Sequence, residues 1–351
     1  MTDFASRIVA WQLAHGRHGL PWQGTRDAYR IWLSEIMLQQ TQVTTVVPYY
    51  RKFVSRFPSV EALAQAPDSE VMALWSGLGY YARARNLHRA AQEVVSRFAG
   101  VFPTRFDDLV TLPGIGRSTA AAIAAFSSGE RRAILDGNVR RVLARHAGVA
   151  GDPTRAAVQA ELWSHAESRL PAAGIEAYTQ GMMDLGANVC LPRDPHCMLC
   201  PASDDCIARN EDRIAELPGR KARAAARRKR IAMLVVVRGG EVLLEKRAPT
   251  GIWGGLWSLP EANADEAPAM ALERDWGLAA AETQPLPPFS HAFTHFTLDV
   301  APWRIRPASG AKLARDKAAM WLPLTEVNGA ALPSPVKKLL VSLPGFLPSQ
   351  E

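Results

Sequence analysis

Up to about residue 208, apolar residues recur three and four positions apart, with Gly and Pro between the segments. This is the spacing of one buried face of an α-helix. Beyond residue 230 the period changes. IAMLVVV, EVLLEKR, LWSLP, FTLDVAPWRI and MWLPL are short β-rich runs bounded by Gly and Pro, and ALERDWG and SPVKKLLVSL carry helical spacing. The chain of 351 residues is too long for one ordinary core and long enough for two domains. The pattern predicts an all-α domain over residues 1–208, a basic linker over 209–230 and an α+β domain over 231–351. No internal repeat with a period of roughly 20–50 residues is found.

Apolar content of 48% and charged content of 21% are those of a globular protein. No stretch approaches the roughly 20 apolar residues of a membrane span, so no membrane partner is expected. The start of the chain, MTDFASRIVAWQ, lacks the charged flank and apolar run of a signal peptide. The expectation is a cytosolic, nucleoid-associated monomer. A net charge of +7 suggests a polyanionic partner. The excess is local: residues 209–230 hold nine Lys or Arg against three acids, a net +6. Any contact with nucleic acid elsewhere must therefore come from individually placed groups.

The four cysteines, Cys190, Cys197, Cys200 and Cys206, fall in one window with the spacing C-x6-C-x2-C-x5-C. A reducing cytosol disfavours disulfides. Four thiolates can hold Zn²⁺ or a [4Fe–4S] cluster. Structural zinc sites usually pair two short knuckles, and this window has one.

Upstream, Leu112-Pro113-Gly114-Ile115-Gly116 separates two helical stretches. Gly114 and Gly116 permit a tight turn with positive φ and close approach of backbone to a ligand. The helix that follows offers open N–H groups to a phosphate, a helix-hairpin-helix arrangement. Further on, Asp136 in ILDGNVRRVL precedes a helix and is placed to cap it. The same donors predict a depressed pKa and an anion at neutral pH. A fixed carboxylate stabilises positive charge on a sugar as a glycosidic bond breaks, and Asn138 can orient it. Glu35 lies among apolar residues in IWLSEIMLQQT. Desolvation there would raise its pKa and make it a general acid. An elevated Glu beside a depressed Asp is the two-carboxylate logic of glycoside hydrolysis.

WLSEIMLQQTQV, GLGYYARARNLH, LPGIGRSTAAAI, ILDGNVRRVLAR, QGMMDLGANVC and the cysteine spacing, in that order from about Leu20 to Cys206, resemble the MutY family of adenine DNA glycosylases. The cysteine spacing resembles the cluster motif of the wider endonuclease III superfamily. The resemblance implies a helix-hairpin-helix glycosylase domain, a [4Fe–4S] cofactor on the four cysteines, and duplex DNA with A:8-oxoguanine or A:G mispairs as partner. It implies Glu35 as the acid that protonates adenine and Asp136 as the stabiliser of the oxocarbenium ion. Trp22 and Gln180 would line the adenine pocket, and Gln40 and Tyr80 would enter the duplex. Lyase relatives carry a lysine two residues after the last hairpin glycine. Ser118 stands there, so no amine is available for a Schiff base, and a monofunctional enzyme is expected.

Residues 231–345 resemble the Nudix-like domain that this family appends for reading 8-oxoguanine. Nudix hydrolases need a Glu-rich helix to hold divalent metal, and ALERDWGL lacks it. The family's Phe-Ser-His reading loop aligns with Phe293-Thr294-His295, and Phe289-Ser290-His291 lies just before. Three competing readings stand beside this one: a bifunctional thymine-glycol-type glycosylase, a non-catalytic DNA-binding scaffold, and a nucleotide pyrophosphatase.

Overall fold

The computed structural model describes residues 3–219, 227–293, 295–310 and 318–343. The chain divides into two compact units. One comprises residues 1–66 and 86–222, the other residues 67–85 and 223–351.

The first stretch is helical: α1 (Phe4–His15), α2 (Ala28–Leu38), α3 (Val43–Arg56), α4 (Val60–Gln65), α5 (Asp68–Trp75), α6 (Ala82–Phe98), α7 (Phe106–Leu109), α8 (Arg117–Ser128), α9 (Gly137–His146), α10 (Ala156–Ser168), α11 (Ile175–Asp184) and α12 (Ile207–Asn210). Polar residues set several of the starts. Asp3 caps α1, Asp27 caps α2 through the N–H groups of Tyr29 and Arg30, and Ser59 caps α4. The helix α8 is rich in alanine. Ala120 through Ala125 are all buried, and Ile123 is the largest side chain among them. Small side chains let α2 and α11 pack closely on it. The core of this unit joins Ile8 of α1, Leu143 of α9, Leu162 of α10 and Leu185. After α11 the backbone widens into one π-helical stretch, Leu185–Val189, which leads directly into Cys190.

The β-rich region holds β1 (Arg227–Arg238), β2 (Glu241–Lys246), β3 (Trp257–Ser258), β4 (Glu261–Asn263), α13 (Pro268–Trp276), β5 (Ala280–Pro285), β6 (Phe289–Ala292), β7 (Phe296–Pro307), β8 (Ala319–Pro323) and α14 (Ser334–Val341). The sheet is mixed, with the central order β3-β2-β1-β7-β5. Its long parallel pair runs from Arg227 opposite Phe296 to Val236 opposite Ile305. Residues Ala232 to Val236 are buried without alternation, the pattern of a strand covered on both faces. Trp276 and Leu272 of α13 pack against Leu234, Val236 and Ile305. This agrees with the expected α+β class.

Of the basic stretch, residues 220–226 lie outside the described residues. Its flanks are partly neutralised. Arg213 pairs with Glu211 at 2.7 Å, and Arg228, on the exposed start of β1, pairs with Asp299 at 2.7 Å. No helix among the described residues is long and apolar enough to cross a membrane.

Candidate active site

Glu35 is carried by α2, a helix in which eight of eleven residues are buried. The carboxyl faces a cavity of about 680 Å³ that Arg17, His18, Trp22 and Gln180 also line. Ile31, Leu38 and Phe126 put apolar groups on the same cavity wall as Glu35. Burial, then the negative charge of Asp136, pushes the Glu35 pKa up to about 8. The carboxyl is therefore mainly protonated at neutral pH, as a general acid must be.

Asp136 caps α9, and its Oδ1 accepts the Val139 N–H at 2.7 Å. The expected depressed pKa is not found. Burial raises Asp136 above the ordinary carboxylate range, against the opposing pull of the Val139 and Asn138 N–H groups and of Arg141 and Arg140. Desolvation outweighs the donors of the helix end. The two carboxyls nonetheless differ in their surroundings. Asp136 has helix donors and two guanidiniums to hold a negative charge. For Glu35, burial and the neighbouring charge both oppose ionisation. One proton shared by this pair belongs on Glu35.

Asn138 accepts a hydrogen bond from Arg141 at 2.9 Å, and Arg141 also donates to the carbonyls of Cys190 and Gly186. The Gly186 backbone lies so near that a Cβ there would be 2.5 Å from Asn138 Cβ. This contact locks the start of α9 against the π-helical stretch. The hydroxyl of Ser118 accepts the Leu135 N–H at 2.9 Å and so anchors the segment leading into Asp136.

In the hairpin, Gly114 has φ +79°, and a Cβ would clash with Asn86. Gly116 differs from expectation: its φ is −85° and a side chain would meet nothing. It caps α8 with no side-chain acceptor, leaving the helix N-terminal N–H groups open. Gln40 and Tyr80, expected to enter a duplex, have φ of +57° and +49°. Non-glycine residues in this region store strain, which concentrates at functional sites. Tyr80 is exposed, and the Arg83 guanidinium lies over its ring.

Trp22 is buried with its ring edge-on to Tyr50. Gln180 donates Nε2–H to Asp184 at 2.8 Å. Asp184 is fully buried and ion-paired with Arg17 at 2.6 Å. Sequence reasoning missed Arg17, Asp184 and Arg141. The signal for Asp184 was its i,i+4 spacing from Gln180 on one helix face, a spacing at which Gln and Asp side chains meet.

Cys190, Cys197, Cys200 and Cys206 are free thiols that line one small cavity of about 30 Å³ beside Arg145 and His146. Among the described residues no group of three His, Cys, Asp or Glu lies close enough to hold an ion as placed. The donor chemistry nonetheless suits thiolate ligation. The buried Arg145 guanidinium lies 3.4 Å from Cys190 Sγ and donates to the Leu191 and Leu217 carbonyls. Burial pushes the Cys200 and Cys206 thiols up, so an ion held there would have to displace their protons.

In the β-rich unit, Trp253, His291, Phe293 and Phe296 form a ring cluster. Phe293 stacks on Phe296 at 4.6 Å and meets His291 edge-on at 4.7 Å. Lys229 lies over Phe296. His295 follows on the same loop, and Thr294 lies outside the described residues. Ser290 donates to Asp299 at 2.6 Å, so its hydroxyl is engaged within the sheet. In α13, Arg274 ties up Glu266 and Asp275, two of the nearby acids.

Residues 33–168 match the HhH-GPD superfamily of base excision DNA repair proteins, and residues 232–342 match the NUDIX domain. Adenine DNA glycosylase of Buchnera aphidicola subsp. Schizaphis graminum is 35% identical over 96% of this chain and 97% of its own length. Adenine DNA glycosylase of Mus musculus is 32% identical over 97% of this chain and 77% of its own. Among solved structures, a thermostable thymine-DNA glycosylase is 29% identical, with a TM-score of 0.53 over 59% of this chain and 95% of its own. An endonuclease III–DNA complex aligns with a TM-score of 0.50 at 19% identity, over 60% of this chain and 99% of its own, a likeness of fold.

Proposed function

The chain belongs to the adenine DNA glycosylase family, and from that premise we propose that it removes adenine paired with 8-oxoguanine, or with guanine, from duplex DNA without cutting the strand. The observation that supports this reading is the pair of carboxyls with separated tasks, a protonated Glu35 on the pocket wall and a donor-held Asp136 beside it. Extruded adenine enters the cavity between Trp22 and Gln180. Glu35 gives its proton to N7. The C1′–N9 bond then breaks, with its electron pair leaving on the base. Positive charge grows on the sugar and meets the Asp136 carboxylate. Water adds at C1′, its proton leaves through a carboxylate, and an abasic site remains. On the DNA side, the open N-terminus of α8 takes a backbone phosphate, and Gln40 and Tyr80 occupy the duplex. The enzyme acts as a monomer in the cytosol, associated with the nucleoid.

The residue at the position of a lyase lysine is Ser118. Ser118→Lys is expected to add strand nicking and a borohydride-trapped covalent adduct, while slowing excision by removing the anchor of Leu135. Equal trapping by the unsubstituted protein would contradict the monofunctional assignment.

Cys190, Cys197, Cys200 and Cys206 would hold a [4Fe–4S] cluster, which ties together a loop with little core of its own. Through Cys190 this loop braces Arg141 and so the start of α9. Cys200→Ser is expected to lower iron content, visible absorbance and duplex affinity together. Stoichiometric zinc without iron, in anaerobic preparations as in aerobic ones, argues against the assignment.

Reading of the opposite base is placed on Phe293, Thr294 and His295. Phe293→Ala should shrink the preference for A·8-oxoguanine over A·G by roughly tenfold, the scale of one good base contact. Single-turnover excision on the two duplexes measures this. An unchanged preference assigns the reading to the helical unit.

A further inference from the structure

Behind two residues of the pocket wall stands a carboxylate that catalysis does not use. Asp184 ends α11 and is fully buried. Its Oδ2 accepts the backbone N–H of Arg17 at 2.8 Å, and its Oδ1 accepts Arg17 Nε at 2.7 Å. The same Oδ1 accepts Nε2–H of Gln180 at 2.8 Å, from one turn earlier on the helix. Gln180 and Arg17 both line the cavity that holds Glu35.

These bonds decide which end of Gln180 the cavity meets. A carboxylate paired with arginine only accepts, whereas a carboxamide donates at one end and accepts at the other. If Oε1 were turned to Asp184, two lone-pair oxygens would face each other in a buried site. Gln180 must therefore give an N–H of its NH2 to Asp184, and the end turned away from Asp184 is the carbonyl Oε1. Rotation of Asp184 cannot undo this, because Arg17 holds both of its oxygens.

We propose that Asp184 is the positioning residue that fixes the Gln180 amide, so that the pocket selects a purine with an amino group at C6 over one with a carbonyl. The inference rests on the reading that this cavity receives the extruded base. An amino group at C6 donates to Oε1. The O6 of hypoxanthine or guanine sets an acceptor against an acceptor and leaves both unpaired away from water.

The test compares single-turnover excision of adenine with that of hypoxanthine, each opposite the same base in the same duplex. Intrinsic differences between the leaving groups cancel when the ratio is compared between proteins. Asp184→Asn supplies a donor where only acceptors stood and lets the Gln180 NH2 face the cavity. The adenine-to-hypoxanthine ratio is then expected to fall by about tenfold, the effect of one buried mispaired polar group. The paired variant Asp184→Asn/Gln180→Glu restores an acceptor to the cavity, since a carboxylate accepts at both oxygens while the new amide at position 184 donates to it. Its ratio should return to near the wild-type value. A merely structural defect slows both bases equally and leaves the ratio unchanged. That result in Asp184→Asn overturns the proposal, as does a paired variant whose ratio stays low. If Asp184→Asn does not fold, Asp184→Ser, whose hydroxyl can donate to Gln180, takes its place with the same expected fall in the ratio, and an unchanged ratio there overturns the proposal. Wild-type protein that releases no adenine at all contradicts the proposed function itself. Normal adenine release with an insensitive ratio contradicts only the role of Asp184.

Discussion

Asp136→Asn is expected to lower single-turnover adenine excision by about 10³-fold or more, the scale of losing a preorganised electrostatic contact to a transition state, with duplex affinity nearly unchanged. Asparagine keeps the size of the side chain and an oxygen to accept the Val139 N–H, so the cap on α9 survives. What disappears is the full negative charge beside the sugar. The ground state carries no positive charge there, so duplex binding has little to lose. The loss therefore falls on the chemical step. Excision within tenfold of wild type would remove Asp136 from the reaction.

Glu35→Gln is expected to be comparably inactive, because an amide delivers no proton to adenine N7. In the wild type the rate should fall as pH rises through about 8, where Glu35 loses its proton. On the acid side it should fall again as Asp136 gains one. Stability carries a separate signature. Glu35 binds its proton more tightly folded than unfolded, so the folded state loses stability as pH rises from the ordinary carboxylate range to about 8. Glutamine has no proton to lose, so above neutral pH the inactive variant should melt at a higher temperature than the wild type. A variant that keeps normal rates across the pH range contradicts the acid role.

The helical region and most of the strands were legible because their periods are strong. The run IAMLVVV became the buried centre of β1. The strand β5 was not legible: five of its six residues are exposed, so AAETQP carries no alternation to read. Glu35 and Asp136 were nameable from their motifs, and the apolar sequence around Glu35 showed the direction of its pKa shift, although Asp136, 101 residues away, adds to it. The pKa of Asp136 was misjudged because a cap motif shows the donors of the helix end but not how far the folded chain buries the carboxyl. Arg17 and Asp184 stand 167 residues apart, and no local pattern announces that they meet. Gly114 needed its glycine, but Gly116 did not, since a turn motif does not say which of its residues takes the left-handed conformation.

The proposed reaction is hydrolysis of the adenine glycosidic bond with the strand left whole. A duplex with adenine opposite 8-oxoguanine, labelled on the adenine strand, measures it directly when free base and strand length are followed together. The expected result is free adenine released in step with abasic sites, and a strand that breaks only after hot alkali. Strand breaks without alkali, or abasic sites formed with no adenine released, would contradict it.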